Sequence, residues 1–241
     1  MRDRTGNEHA VYFLLVFLLT VPLWVLSAVL GNKLPIPINL PISVFAVANP
    51  LIAASILTYR RAGSRGVRRL LARAFDFRRT RNRLWYVPAL LLVPAVHLAA
   101  FAIMRVAGLP LPDPIQVPWL WTPVLFLGFF VGATLEELGW SGYALDPLQD
   151  RWGALVAAIV VGTIWQVWHV IGQLQADNTA DWILWHSLYS VALRLLLVWI
   201  YNNTGKSVFA ASLVHTVDNV SWTLFPNWGT HLDPSITFAL T

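Results

Sequence analysis

The stretch WLWTPVLFLGFFVGATLEELGWSGYAL, residues 119–145, is apolar along almost its whole length and yet carries Glu136 and Glu137 side by side. A helix crossing a bilayer needs about 20 mostly apolar residues. This stretch meets that requirement while holding two carboxylates at a depth where unpaired charge is costly. Working outward, six further runs have similar length and character: residues 10–30, 42–59, 84–107, 153–174, 182–201 and 207–225. The composition agrees, since 57% of the 241 residues are hydrophobic and only 12% are charged, against about 25% charged in a soluble domain. The mean hydropathy of +0.60 exceeds what one soluble core of this length can bury, whereas lipid accepts it. The expectation is an all-α polytopic transmembrane helix bundle of about seven spans, organised as a single membrane domain over residues 1–241.

Charge sets the expected orientation. With the N-terminus in the cytoplasm, 14 basic residues fall inside: Arg2, Arg4, the ten Arg of residues 60–83, Arg151 and Lys206. Only Lys33 falls outside, and this asymmetry is a positive-inside signal. The start resembles a signal peptide but is long enough to cross and is followed by six more spans, so it reads as an uncleaved first helix. In the segment 60–83, Val67, Leu70, Leu71, Ala74 and Phe75 recur at helical spacing among Arg65, Arg68, Arg69 and Arg73. That pattern predicts an amphipathic helix on the inner leaflet with membrane lipids as its partners, and no nucleic acid. An integral protein of a bacterial or archaeal-type plasma membrane is expected. The chain has no Cys, which excludes a thiolate nucleophile and Cys-ligated metal centres.

Ionisable residues within spans are functional candidates by default. They are His97 and Arg105 in the third span, Glu136 and Glu137 in the fourth, His169 in the fifth, His186 and Arg194 in the sixth, and His215, Asp218 and Asn219 with them in the seventh. His215 and Asn219 are four apart and share a helix face. Glu136 and Glu137 point about 100° apart, so one can face a cavity while the other meets a structural partner.

Three ordered segments carry a family resemblance: Glu136-Glu137-Leu138-Gly139-Trp140-Ser141, then Trp165-Gln166-Val167-Trp168-His169, then His215-Thr216-Val217-Asp218-Asn219. They resemble the motifs Glu-Glu-x-x-x-Arg, aromatic-x-x-x-His and His-x-x-x-Asn of the CAAX prenyl protease and bacteriocin-processing family of intramembrane glutamic endopeptidases. The resemblance covers about residues 127–219. It implies hydrolysis of a peptide or protein substrate at the membrane by activated water, without cofactor or metal. Glu136 is then the expected general base, His169 its partner on water, and His215 with Asn219 the oxyanion hole, supported by Glu137, Arg194 and Trp165. A desolvated carboxylate is a stronger base than one in water, and each N–H donor to an oxyanion is worth about 3 kcal/mol.

The chain departs from the family at Ser141, where the first motif has Arg. Glu137 loses the partner one turn along its helix, and a lone carboxylate in the bilayer stays protonated or finds another cation. Arg194 is the expected replacement, because it and Glu137 lie at matching depths of about 11 and 12 Å from the cytoplasmic ends of their spans at 1.5 Å per residue. The alternative is an Arg194 that snorkels while Glu137 is neutral or bonded to Ser141. One depth does not match: His169 lies about 24 Å from its drawn cytoplasmic end, against about 14 Å for Glu136 and 12 Å for His215. An interfacial turn through residues 151–158 or a strong tilt of the fifth span would reconcile them.

His97 and His186 read as packing residues, Arg105 as a snorkelling one, and Asp218 either as an orienter of His215 or as a bond to a neighbouring helix. Three rival functions remain at this level. Gly139-Trp140-Ser141-Gly142 spells the pattern around the rhomboid nucleophile, but the small residues expected after the partner His are missing. A zinc hydrolase lacks the His-Glu-x-x-His helix. A non-catalytic immunity or partner-stabilising membrane protein of the same fold is favoured only by the Ser141 departure.

Overall fold

A computed structural model describes residues 4–30, 34, 38–229 and 231–241. Arg2 and Lys33, two charges used in the orientation argument, lie outside the described residues. The architecture is all-α: α1 (Arg4–Leu30), α2 (Asn49–Ala72), α3 (Tyr86–Val106), α4 (Thr122–Gly139), α5 (Asp146–Gln175), α6 (Ala180–Asn203), α7 (Val208–Leu224) and α8 (Pro234–Leu240), with short 3₁₀ turns between several of them. No strand occurs among the described residues.

Among the described residues five helical segments are long and apolar enough to cross a membrane, and one of these, Trp119–Gln175, runs for 57 residues and contains both the fourth and the fifth expected spans. The seventh expected span is α7, only 17 residues long and buried at thirteen of them. It is enclosed by the other helices rather than by lipid, which is why it tolerates Ser212, His215, Thr216, Asp218, Ser221 and Thr223 on its buried surface. α1 is the opposite case. Leu14, Leu18 and Val25 are exposed while Tyr12, Val16 and Thr20 are fully buried, a one-sided seam at i, i+4 spacing on a helix otherwise suited to lipid.

Gly139 sets the closest approach in the bundle. A Cβ there would lie 2.5 Å from both the Pro50 carbonyl carbon and the Tyr12 hydroxyl, so only glycine lets α4 seat against α1 and the start of α2. A polar knot ties α1 and the start of α2 to α5: Thr20 Oγ1 accepts from Asn49 Nδ2 at 3.0 Å and from Trp168 Nε1 at 2.8 Å.

The depth mismatch at His169 has a simple cause. α4 does not end at Leu145. It continues through a π-helical turn, Trp140–Leu145, and on into the first residues of α5, and the chain breaks from helical geometry only at Gly153, with φ +79 and ψ 165. Glu136 stands sixteen residues before Trp152, and His169 sixteen after Gly153. The two residues therefore sit level on either side of the reversal, and neither the interfacial turn nor the strong tilt is needed. The left-handed φ explains why glycine occupies that corner.

The arginine-rich segment is helical as expected, continuing α2 beyond a break at Gly63 (φ +60, ψ −163) as far as Ala72. Leu70 and Ala74 are buried, Leu71 and Phe75 face outward, and Arg65, Arg68 and Arg69 are exposed. Arg73 departs from the lipid-facing role expected of it, because its side chain turns into the protein (17% exposed). The segment's one acid, Asp76, caps α7: Oδ1 accepts from Ser207 Oγ at 2.7 Å and from the Phe209 amide at 3.1 Å. The carboxylate thus meets the donor end of that helix.

Candidate active site

The two adjacent carboxylates have different surroundings. Glu137 is fully buried and its oxygens are crowded with donors. Arg194 Nη1 lies 3.0 Å from Oε1 and 2.9 Å from Oε2, Ser141 Oγ donates to Oε2 at 2.5 Å, and His215 Nδ1 meets Oε1 at 3.1 Å. Glu136, one residue earlier, is 4% exposed and accepts one hydrogen bond, from Trp165 Nε1 to Oε2 at 2.7 Å. Its Oε1 accepts none from the described residues. The 100° rotation between neighbours on a helix has placed one carboxylate in a fixed ionic knot and left the other with a free oxygen.

Arg194 is fully buried, so snorkelling is excluded. Its stem fits because residue 162 is glycine: a Cβ there would lie 3.0 Å from Arg194 Cβ and 3.2 Å from Cγ. The guanidinium carbon sits 4.3 Å from the centre of the Trp165 ring, a cation–π contact in a desolvated setting. Trp165 thereby becomes the centre of the site. It bonds Glu136, lies against Arg194, and meets the rings of His169 at 5.0 Å and His215 at 5.2 Å, both edge-on.

His169 Nδ1 lies 2.8 Å from the Trp165 carbonyl oxygen. A carbonyl only accepts, so Nδ1 carries the proton and Nε2 presents a lone pair in the neutral ring. Glu136 is within electrostatic range of both His169 and His215. For His215 the Glu137 contact places a proton on Nδ1. Nε2 can then donate to a developing oxyanion only in the imidazolium form. Asn219, one turn further on α7, is partly exposed.

The remaining candidates lie apart from this cluster. Asp218 accepts from the Tyr189 hydroxyl and lies 3.6 Å from His97 Nε2, so it bonds neighbouring helices and does not orient His215. His97 Nδ1 is 3.0 Å from the Val93 carbonyl oxygen. His186 stacks on Trp182 at 4.5 Å and meets Gln173 Nε2 at 3.0 Å; both histidines are packing residues. Arg105 is exposed at the end of α3. Sequence reading missed Arg73, the Asp76 cap and the Tyr189 partner of Asp218, since each acts across segments far apart in the chain.

Fold and site together give a protein whose helices are long and apolar enough to cross a membrane, with a buried centre of paired carboxylates and histidines. Two comparisons agree. The Rce1-like family model, described as type II CAAX prenyl endopeptidase Rce1-like, matches residues 118–221, a range containing every residue of the cluster just described. CAAX prenyl protease 2 of Methanococcus maripaludis is 27% identical over 226 residues, covering 88% of this chain and 82% of the relative. These matches bear out the resemblance read from the three motifs.

Proposed function

We propose that the protein is an intramembrane glutamic endopeptidase that hydrolyses a peptide bond of a membrane-associated substrate. The observation that carries this reading is the division of labour between Glu136 and Glu137. Glu137 is saturated by four hydrogen bonds from three side chains, so only Glu136 has an oxygen available for water. Glu136 Oε1 takes a proton from a water that also donates to, or is steered by, His169 Nε2. The resulting hydroxide-like oxygen attacks the carbonyl carbon, and His215 Nε2–H with the Asn219 amide takes up the charge on the carbonyl oxygen. Glu136, now protonated, returns the proton to the leaving amine. Trp165 Nε1 fixes the orientation of Glu136 through this cycle.

Arg194 replaces the family's motif arginine from a different helix. It supplies the cation Glu137 needs, and Ser141, standing where that arginine would be, supplies a further donor. This removes the argument for a non-catalytic protein. It also weakens the serine reading, because the Ser141 hydroxyl is buried and committed to Glu137. The cytoplasmic position of the N-terminus belongs to the same proposal, as do the lipid contacts of the exposed Arg65, Arg68 and Arg69. The name of the archaeal relative makes a prenylated C-terminal peptide the first substrate to try. The test is incubation of the purified protein in detergent with prenylated and unprenylated versions of one such peptide, with products read by mass spectrometry. Cleavage of the prenylated form supports the proposal; cleavage of neither by the wild type, across a peptide library of membrane-associated sequences, contradicts it.

A further inference from the structure

We propose that Arg73 is a positioning residue for the hydrolytic site, acting through a hydrogen-bonded chain from its guanidinium through Tyr201 and Ser141 to Glu137 and His215. The inference rests on the reaction proposed above. Nine other arginines share residues 60–83, but Arg73 turns inward and makes three short contacts to three different segments. Nη1 donates to the Gly142 carbonyl at 2.7 Å, and Nη2 donates to the Tyr201 hydroxyl at 2.7 Å and to the Lys206 carbonyl at 2.8 Å. Gly142 belongs to the π-helical turn that follows the two glutamates, Tyr201 lies two turns beyond Arg194 on α6, and Lys206 lies in the connection to α7.

The chain continues inward without a gap. The Tyr201 hydroxyl, accepting from Arg73, donates to the Ser141 carbonyl at 3.2 Å. Ser141 Oγ donates to Glu137 Oε2, and Glu137 Oε1 holds His215 Nδ1. Ser141 and Gly142, whose carbonyls receive Tyr201 and Arg73, are consecutive residues of the π turn. The hydrogen bonds of that turn span one residue more than those of an α-helix, and such turns recur at functional sites. Its shape sets the rotation of everything before it, so it decides which of Glu136 and Glu137 faces the water. The planar fork of Arg73 satisfies acceptors at fixed angles, which a lysine ammonium does not reproduce. Asp76, 3.8 Å from Arg73 Nε, extends the same clamp to the α7 N-terminus through its bonds to Ser207 and Phe209. The starts or ends of the three helices bearing Glu136, Arg194 and His215 are thus registered by one side chain at the membrane surface.

The experiment uses the full-length protein in detergent with a prenylated C-terminal peptide and compares wild type, Arg73→Lys, Arg73→Ala, Tyr201→Phe, the Arg73→Ala/Tyr201→Phe double variant, Arg68→Gln and Glu136→Gln. Displacing catalytic groups by about 1 Å costs about 10²-fold, so Arg73→Ala should lose about that much in kcat with KM little changed. Arg73→Lys should lose about tenfold in kcat with an unchanged thermal midpoint. The double variant should be no worse than Arg73→Ala by more than about threefold, as for two links of one chain. Arg68→Gln, which removes an exposed charge, should stay within about twofold of wild type. Unchanged kcat in Arg73→Lys and Arg73→Ala, or losses that multiply in the double variant, overturn the inference. If Arg73→Ala does not fold, the lysine variant decides alone. An active Glu136→Gln protein sinks the underlying reaction, whereas an inactive one alongside fully active Arg73 variants sinks this inference only.

Discussion

Arg194 on α6 places one guanidinium nitrogen within 3.0 Å of both oxygens of Glu137 on α4, with neither side chain exposed. The pair crosses between helices, whereas the family's motif would supply an arginine one turn along the same helix. Breaking such a pair leaves an uncompensated buried charge, at a cost of about 3–5 kcal/mol. Arg194→Ala is therefore expected to lower the thermal midpoint sharply and abolish turnover, and adding Ser141→Arg should recover part of both. Melting in detergent with and without the second substitution measures this. A double variant as damaged as the single one would mean that the cation must come from α6.

Trp165→Phe removes one hydrogen bond, to Glu136, while retaining a ring against Arg194, His169 and His215. A hydrogen bond of this kind contributes about 1.5 kcal/mol or more. The expected result is a kcat lowered by about tenfold at nearly constant KM. A variant with wild-type kcat would show that Glu136 is oriented by other contacts.

Because Nδ1 of His215 is committed to Glu137, the proposed reaction requires the imidazolium form for donation from Nε2. Turnover should therefore decline as pH rises and His215 loses its second proton. His215→Gln keeps an N–H donor but has no titration of its own. Its residual activity should lose this alkaline decline, and a decline that survives the substitution would contradict the imidazolium donor.

Ser141→Ala deletes one of the donors to Glu137 and leaves Arg194 and His215 in place. Activity should survive, reduced by about 10- to 100-fold, the worth of one hydrogen bond to a charged group. An inactive Ser141→Ala protein beside an active Glu136→Gln protein would reassign the chemistry to serine.

Since the chain has no Cys, single cysteines report orientation without background. Arg68→Cys should react with an impermeant maleimide only from the cytoplasmic face, and Asp113→Cys only from the opposite face. Reversed labelling would invert the orientation drawn from the arginine distribution.

Much of this arrangement was legible in the sequence because the bilayer makes hydropathy and charge unusually informative. The helical class, the first six spans and the Glu137–Arg194 pair follow from segment length, depth and the rule that buried charges need partners. What escaped notice has physical reasons. The end of the fourth span was drawn at Leu145 because polarity rises at Asp146, but the helix persists to Trp152 and only the left-handed Gly153 stops it. α8 is seven residues long, too short for a periodic signal, although Asp233 before Pro234 marks its start: Asp233 Oδ1 accepts from the Ser235 amide.

Within the site, the roles of the two glutamates depended on rotation, which adjacent positions fix at about 100° without saying which points where. Only the contacts of Glu137 with Arg194, Ser141 and His215 settle which carboxylate is occupied. Arg73 was invisible for a related reason. Its neighbours in sequence are lipid-facing arginines of identical chemistry, and its acceptors on Gly142, Tyr201 and Lys206 are distant in the chain.

In the proposed reaction Glu136 is the general base, and Glu137 is not free to be one. Its most direct test is the turnover of purified Glu136→Gln, a substitution that keeps shape and the acceptor for Trp165 but removes the proton-accepting carboxylate, on a peptide that the wild type cleaves. The expected result is a loss of at least about 10³-fold in kcat with the fold and KM retained. A Glu136→Gln protein that cleaves the same bond at the wild-type rate would contradict it.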